Sequence, residues 1–161
     1  MLRLTDTLPG WPVALLRAYL GLMFIPHGWG KVTAGGDWVM SLPNFLLGHV
    51  EDMSGWYHAV VEGVVVPHAA LFAHLVAWGE LLIGVALLVG AFTRLAAALG
   101  AFMVLNFLWA KGLPLFMTMN HDALVIWLFV LVALTGAGRV WGVDGWLRQR
   151  FARPWADRLL W

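Results

Sequence analysis

Residues 69–92 read AALFAHLVAWGELLIGVALLVGAF, an apolar run interrupted by one histidine, His74, and one acid, Glu80. The run is too long for a strand and exceeds the roughly 20 residues a helix needs to cross a ~30 Å hydrocarbon core. Three further stretches approach that length: Pro12–Trp29, Leu95–Ala110 and Ala123–Gly138. Backbone polar groups in lipid must be satisfied internally, so continuous runs of this kind imply helices. The expectation is an all-α, polytopic membrane four-helix bundle.

Composition agrees. Of 161 residues, 61% are hydrophobic and only 12% charged, with 11 tryptophans. This departs far from the soluble average. There is no cysteine, which excludes disulfides, thiolate metal sites and cysteine nucleophiles. No nucleophile elbow, HExxH or phosphate-cradling glycine loop is present.

The net charge of +1 matters less than its placement. Arg3, Arg94, Arg139, Arg148, Arg150, Arg153 and Arg158 fall on one side of the four spans. Lys31 and Lys111 fall on the other, among Asp37, Glu51, Asp52, Glu62 and Asp122. The positive-inside rule predicts an inner (plasma) membrane protein with both termini cytoplasmic. Val32-Thr33-Ala34 would satisfy signal-cleavage rules after the first span, but Arg17 interrupts its apolar core, so the span is expected to be retained.

Two segments lie outside the spans. In the Thr33–Val66 connection, Tyr57, Val60, Val61, Val64 and Val65 recur at helical spacing behind a capping Ser54. This predicts an outer helix, resting on headgroups or forming a lid. The tail, residues 146–161, interleaves arginines with Trp146, Phe151, Trp155 and Trp161. Directly after a span this pattern points to an amphipathic cytoplasmic anchor on anionic lipid rather than to nucleic acid. The division is thus 1–145 for the transmembrane domain and 146–161 for the tail.

Ionisable groups inside spans are costly and tend to be functional. At 100° per residue Arg17, Gly21, Phe24, Gly28 and Lys31 share one face of the first helix. Ala69, Ala73, Ala77, Glu80, Gly84 and Ala91 share one face of the second, and its small side chains point to helix contact. Glu80 then faces protein. Arg17 either pairs with Glu80 or snorkels to the headgroups and leaves Glu80 neutral. Toward the outer end the sequence collects His27, Lys31, His68, His74, Asn106, Lys111, Asn120, His121 and Asp122. These are candidates for a ligand, quinone-headgroup or metal site. His68 and His74 are six apart and cannot form a local i, i+4 metal pair.

The stretches LLRAYLGLMFIPHGWGKV, GELLIGVALLVGAFTRLAA and TGAGRVWGVDGWL resemble the DoxX family of small four-helix membrane proteins, over about residues 13 to 145. The resemblance implicates Arg17, His27, Gly28, Lys31, Glu80, Gly84 and Arg94. It also implies kinship with DoxD, a subunit of a thiosulfate:quinone oxidoreductase, and with membrane redox complexes. The leading expectation is a membrane subunit that supports electron transfer with a quinone, in a complex with protein partners and open to homo-oligomerisation. The alternatives are a non-catalytic scaffold for a partner enzyme, a proton-coupled carrier using Glu80, and a metal- or haem-binding bundle using the outer histidines.

Overall fold

The computed structural model describes residues 10–116 and 120–150, and these are helical, with no strand among them. In chain order the elements are α1 (Trp11–Ala34), α2 (Gly36–Gly48), α3 (Gly55–Val60) continued by a π-helical turn (Val61–Val65), α4 (Ala69–Val89), α5 (Thr93–Ala110), α6 (His121–Thr135), a 3-10 turn (Ala137–Arg139) and α7 (Val143–Arg150). α4 and α5 are long and apolar enough to cross a membrane; α6, with 15 residues, is a shorter apolar helix.

Local chemistry sets the helix ends. Pro12 sits in the first turn of α1, where its missing N–H costs nothing. Gly90 and Gly136 close α4 and α6 in left-handed conformations (φ 70° and 63°) that side-chain-bearing residues rarely adopt. Asn120 caps α6 by accepting from the Ala123 N–H at 2.7 Å. The start of α5 is capped from a distance: the buried Asp144 carboxylate accepts from the N–H groups of Phe92 (2.7 Å) and Thr93 (2.9 Å). The Asp144 N–H donates back to Gly90 O at 2.9 Å, so this one residue ties the start of α7 to the turn between α4 and α5.

α1 packs along α4, and α5 along α6. The α1–α4 contact is close because it is built on glycine. A Cβ at Gly21 would lie 2.8 Å from Gly84 O, and one at Gly28 would lie 2.8 Å from Leu81 Cα. The anticipated inward stripes hold in large part: Arg17, Gly21, Phe24 and Gly28 are buried on α1, and Ala73, Ala77, Glu80 and Gly84 on α4. Between them and α5–α6 lies a core of Leu20, Phe24, Ile83, Leu87, Leu108, Ile126, Phe129 and Val132. Phe24 and Phe129 meet edge-to-face at 5.0 Å. Large apolar side chains also face outward: Leu71, Leu75, Leu82 and Val85 on α4, Leu95, Leu99 and Phe102 on α5, Leu124, Leu131 and Leu134 on α6.

The Thr33–Val66 connection differs from its expected form. The helix behind Ser54 is present, but the Ser54 side chain makes no cap bond and the helix passes into a π turn. Its inward residues are Tyr57 and Val61; Val60 and Val64 are exposed. Ahead of it stands α2, which the sequence pattern did not announce. Leu42, Leu46, Met53, Tyr57 and Val61 form a second cluster with Ala73 of α4 and Ala110 of α5. The Trp38 indole N–H donates to Ala73 O at 2.9 Å and ties α2 down. The 145/146 boundary falls inside α7, and residues 151–161 of the expected tail lie outside the described residues, as does Arg3.

Candidate functional site

A cavity of about 470 Å³ opens among α1, α2, α4, α5 and α6. Its floor is apolar, with Met23 and Phe24 from α1, Val104 and Phe107 from α5 and Val125 from α6. α2 closes one side with Trp38, Ser41, Leu42 and Phe45. Two ion pairs stand in the wall. Lys31 of α1 pairs with the buried Glu80 of α4, and its ammonium lies over the rings of Trp38 (5.0 Å) and Phe107 (5.7 Å). Lys111, just beyond α5, donates to Asp122 Oδ2 at 2.6 Å across the start of α6. Each ammonium has three donors, and one suffices for its acid.

Two histidines stand at the rim. His27 is exposed, and its Nδ1 lies 2.7 Å from Met23 O. A carbonyl only accepts, so Nδ1 carries the proton and the neutral ring keeps its lone pair on Nε2. His121 is exposed beside Asp122, with Nδ1 3.7 Å from Oδ1. The site therefore offers ammonium donors, carboxylate and imidazole acceptors and aromatic walls in a space typical of small-molecule pockets, roughly 300–1,000 Å³.

Of the candidates named from sequence, His27, Lys31, Glu80, Lys111, His121 and Asp122 come together here. The others do not. His68 is exposed at the start of α4, its ring bonded to Val64 O (2.9 Å). His74 is exposed on α4. Asn106 donates to Phe102 O (2.7 Å) and accepts from the Tyr57 hydroxyl (3.3 Å). Asn120 is spent on the α6 cap. Among the described residues no group of three or more His, Asp and Glu is arranged to hold a metal.

Arg17 and Glu80 do not pair. The glycine contacts set α1 and α4 in a register that brings Lys31 to Glu80, with Glu80 near the level of Gly28. Eleven residues separate Gly28 from Arg17, about 16 Å at 1.5 Å per residue, beyond side-chain reach. Snorkelling does not describe Arg17 either, because it is only 3% exposed. It donates to Ala137 O (3.4 Å) and Trp141 O (3.2 Å), lies against Gly90 and Gly142, and feels the charge of Asp144. It braces the turn after α6, at the far end from the cavity.

Sequence reasoning missed Trp38, Ser41 and Phe45 because α2 was not foreseen, and missed Asp144 as the α5 cap. The glycines mark the contact in the sequence but do not fix its offset: it is Gly28 against Leu81, with Gly21 reaching Leu88 as well as Gly84, that brings Lys31, and not Arg17, toward Glu80.

The family model described as DoxX matches residues 13–112. The match starts in the first turn of α1, runs through α5 and ends just after Lys111. No curated protein and no solved structure matches the chain.

Proposed function

Since the chain belongs to the DoxX family, we propose that it is a multi-pass inner-membrane subunit that binds a quinone or a similar lipid-soluble redox partner in the cavity walled by Lys31–Glu80 and Lys111–Asp122. The membrane reading rests on the apolar α4 and α5 and on the outward leucines of α4, α5 and α6, far more exposed apolar surface than a soluble monomer carries. Exposed Trp11 and Trp29 bracket α1 about 27 Å apart along its axis, close to the hydrocarbon thickness that interfacial tryptophans flank. The four longer helices form the bundle, and the cavity lies at its outer end.

The observation that carries the ligand reading is the pairing of two ammonium groups, each held by an acid, with aromatic walls in one cavity. Lys31 and Lys111 would donate to the carbonyl oxygens of a quinone. His27 Nε2, Glu80 and Asp122 would accept from the hydroxyls of its reduced form. Phe24, Phe107 and Trp38 suit a flat ring. A bound quinone would supply two-electron chemistry coupled to two protons, which polar groups at the membrane edge are suited to exchange. The sequence carries no covalent haem or flavin signature, so electrons would pass to a partner protein in a complex.

The test is solvent extraction of protein purified in mild detergent, with a visible spectrum of the same sample. A stoichiometric quinone supports the reading. Quinone no richer than in the bulk lipid extract, together with a soluble enzyme that co-purifies, supports a scaffold instead.

A further inference from the structure

We infer that the cavity takes a ligand with a long apolar chain. Its ring lies between the two ion pairs, and its chain leaves sideways through the seam between α1 and α6 into the hydrocarbon of the bilayer. This names the class of quinone for the site proposed above, rests on that reading, and gives the ligand its way in.

The first argument is where the cavity opens. Three of its lining residues are also exposed: His27 of α1, Ser41 of α2 and His121 of α6. The lining residues of α4 and α5 are buried or half-buried. Glycine contacts close α1 against α4, and α5 packs along α6, which leaves the side between α1 and α6. At 100° per residue Leu16, Met23 and His27 share one face of α1, turned away from Gly21 and Gly28; His121, Val125 and Leu128 share one face of α6. Deeper in the bundle the two helices meet through Phe24 and Phe129, edge-to-face at 5.0 Å. Beyond that contact Met23 and His27 stand on one side of the cavity and His121 and Val125 on the other.

The second is the gradient of polarity through this mouth. His27 and His121 are its polar edge, Met23 and Val125 its apolar edge. Met23 lies six residues before Trp29, about 9 Å deeper along the axis. Trp29 is exposed, at the height where α1 leaves the hydrocarbon in the membrane reading. The apolar edge therefore opens to acyl chains and not to water. Beside it, half-buried Leu16 of α1 and Leu128 of α6 pack against the core, and Leu124 and Leu131 of α6 are exposed. A chain leaving the cavity meets leucines along its path.

Size is the third. At about 470 Å³ the cavity sits in the lower part of the range for small-molecule pockets, roughly 300–1,000 Å³. It holds a substituted ring, and a long chain has to find room outside. Met23 is unbranched and adaptable, a side chain that can shift to let the chain pass without disturbing either ion pair.

The experiment uses the full chain in mild detergent and two fully substituted benzoquinones: a dimethoxy-dimethyl ring, and the same ring with one methyl replaced by decyl. Bound quinone is counted by native mass spectrometry. Affinities are compared between proteins for the same quinone, so that partition into the micelle cancels. Leu128→Trp narrows the seam from a position that does not line the cavity. It should weaken the decyl quinone about tenfold by overpacking and leave the ring alone nearly unaffected. Leu134→Trp, at the far end of α6, should change neither. In the wild type, a decyl analogue with a diazirine on its chain is photolysed and the adducts are mapped by peptide mass spectrometry. They should fall on residues 16–27 and 121–131 and be lost when the ring alone is added in excess. Competed adducts on α4 and α5 instead, or a folded Leu128→Trp that binds both quinones as the wild type does, overturn the seam and leave the quinone reading standing. If the wild type retains neither quinone, the quinone reading falls and the seam falls with it.

Discussion

Replacing Glu80 by glutamine removes the counter-charge of Lys31 while keeping the shape of the side chain. The pair is well shielded, with side-chain exposures of 19% for Lys31 and 6% for Glu80. Breaking one side of a buried pair costs roughly 3–5 kcal/mol. Here the stranded ammonium opens on a cavity that water can enter and keeps its place over Trp38 and Phe107, so we expect about 2–3 kcal/mol. For a chain of this size that is a fall in Tm of roughly 4–12 °C. The assay is thermal unfolding in detergent, read as a double-mutant cycle. Lys31→Met leaves Glu80 without its cation, and the double variant leaves no lone charge. The two changes should couple by about 1–2 kcal/mol, whereas Arg17→Gln combined with Glu80→Gln should be additive to within about 0.5 kcal/mol. Additivity at Lys31 and Glu80, or coupling at Arg17 and Glu80, would refute the register on which the cavity depends.

Gly28→Ala drives a methyl group into the Leu81 backbone and should cost about 1–2 kcal/mol net of alanine's better helix propensity. Gly30→Ala, with open space around it, should be neutral or stabilising, and thermal unfolding compares the two. Burial pushes the Tyr57 phenol above its ordinary 10.0, so the folded state favours the protonated form. That contribution is complete below pH 10 and is lost as pH rises through the folded-state value. Tm should therefore fall more steeply with alkaline pH in the wild type than in Tyr57→Phe; parallel profiles would contradict the burial argument. Reporter fusions after Arg94 and after Trp161 should both read as cytoplasmic, and an external signal at either rejects the proposed topology.

The long helices were legible because their apolar runs are continuous and their small residues fall on one face; Gly21, Gly28, Ala77 and Gly84 announce the α1–α4 contact directly. α2 was not legible. It carries Pro43 in its interior and is bounded by Gly35, Gly36 and Gly48, residues that read as loop punctuation in isolation. Its place is set by tertiary contacts, Leu42 and Leu46 in the second cluster and Trp38 on Ala73 O. Similarly, the stripe of small residues points Glu80 toward protein, whereas Arg17 stays open between pairing and snorkelling; the depths of both depend on helix register, which periodicity along a single helix does not encode. Asp144 lies 51 residues from the Thr93 N–H it caps, and no local pattern reports a cap supplied across the fold. The polar residues expected at one end of the bundle divide by level and by azimuth: His27, Lys31, His121 and Asp122 converge, whereas His74 is exposed.

Binding of a quinone in the cavity is tested most directly by fluorescence, because Trp38 lines the wall. A short-chain water-dispersible quinone is titrated into the detergent-purified protein, and tryptophan emission is followed in the wild type, in Lys111→Met and in Val104→Trp, whose larger side chain fills the cavity. We expect saturable quenching with one site, weakened about tenfold in Lys111→Met by the loss of a charge-assisted hydrogen bond, and abolished as a saturable component in Val104→Trp. Quenching that rises linearly with quinone in all three proteins would show partition into the micelle alone, and would contradict the site.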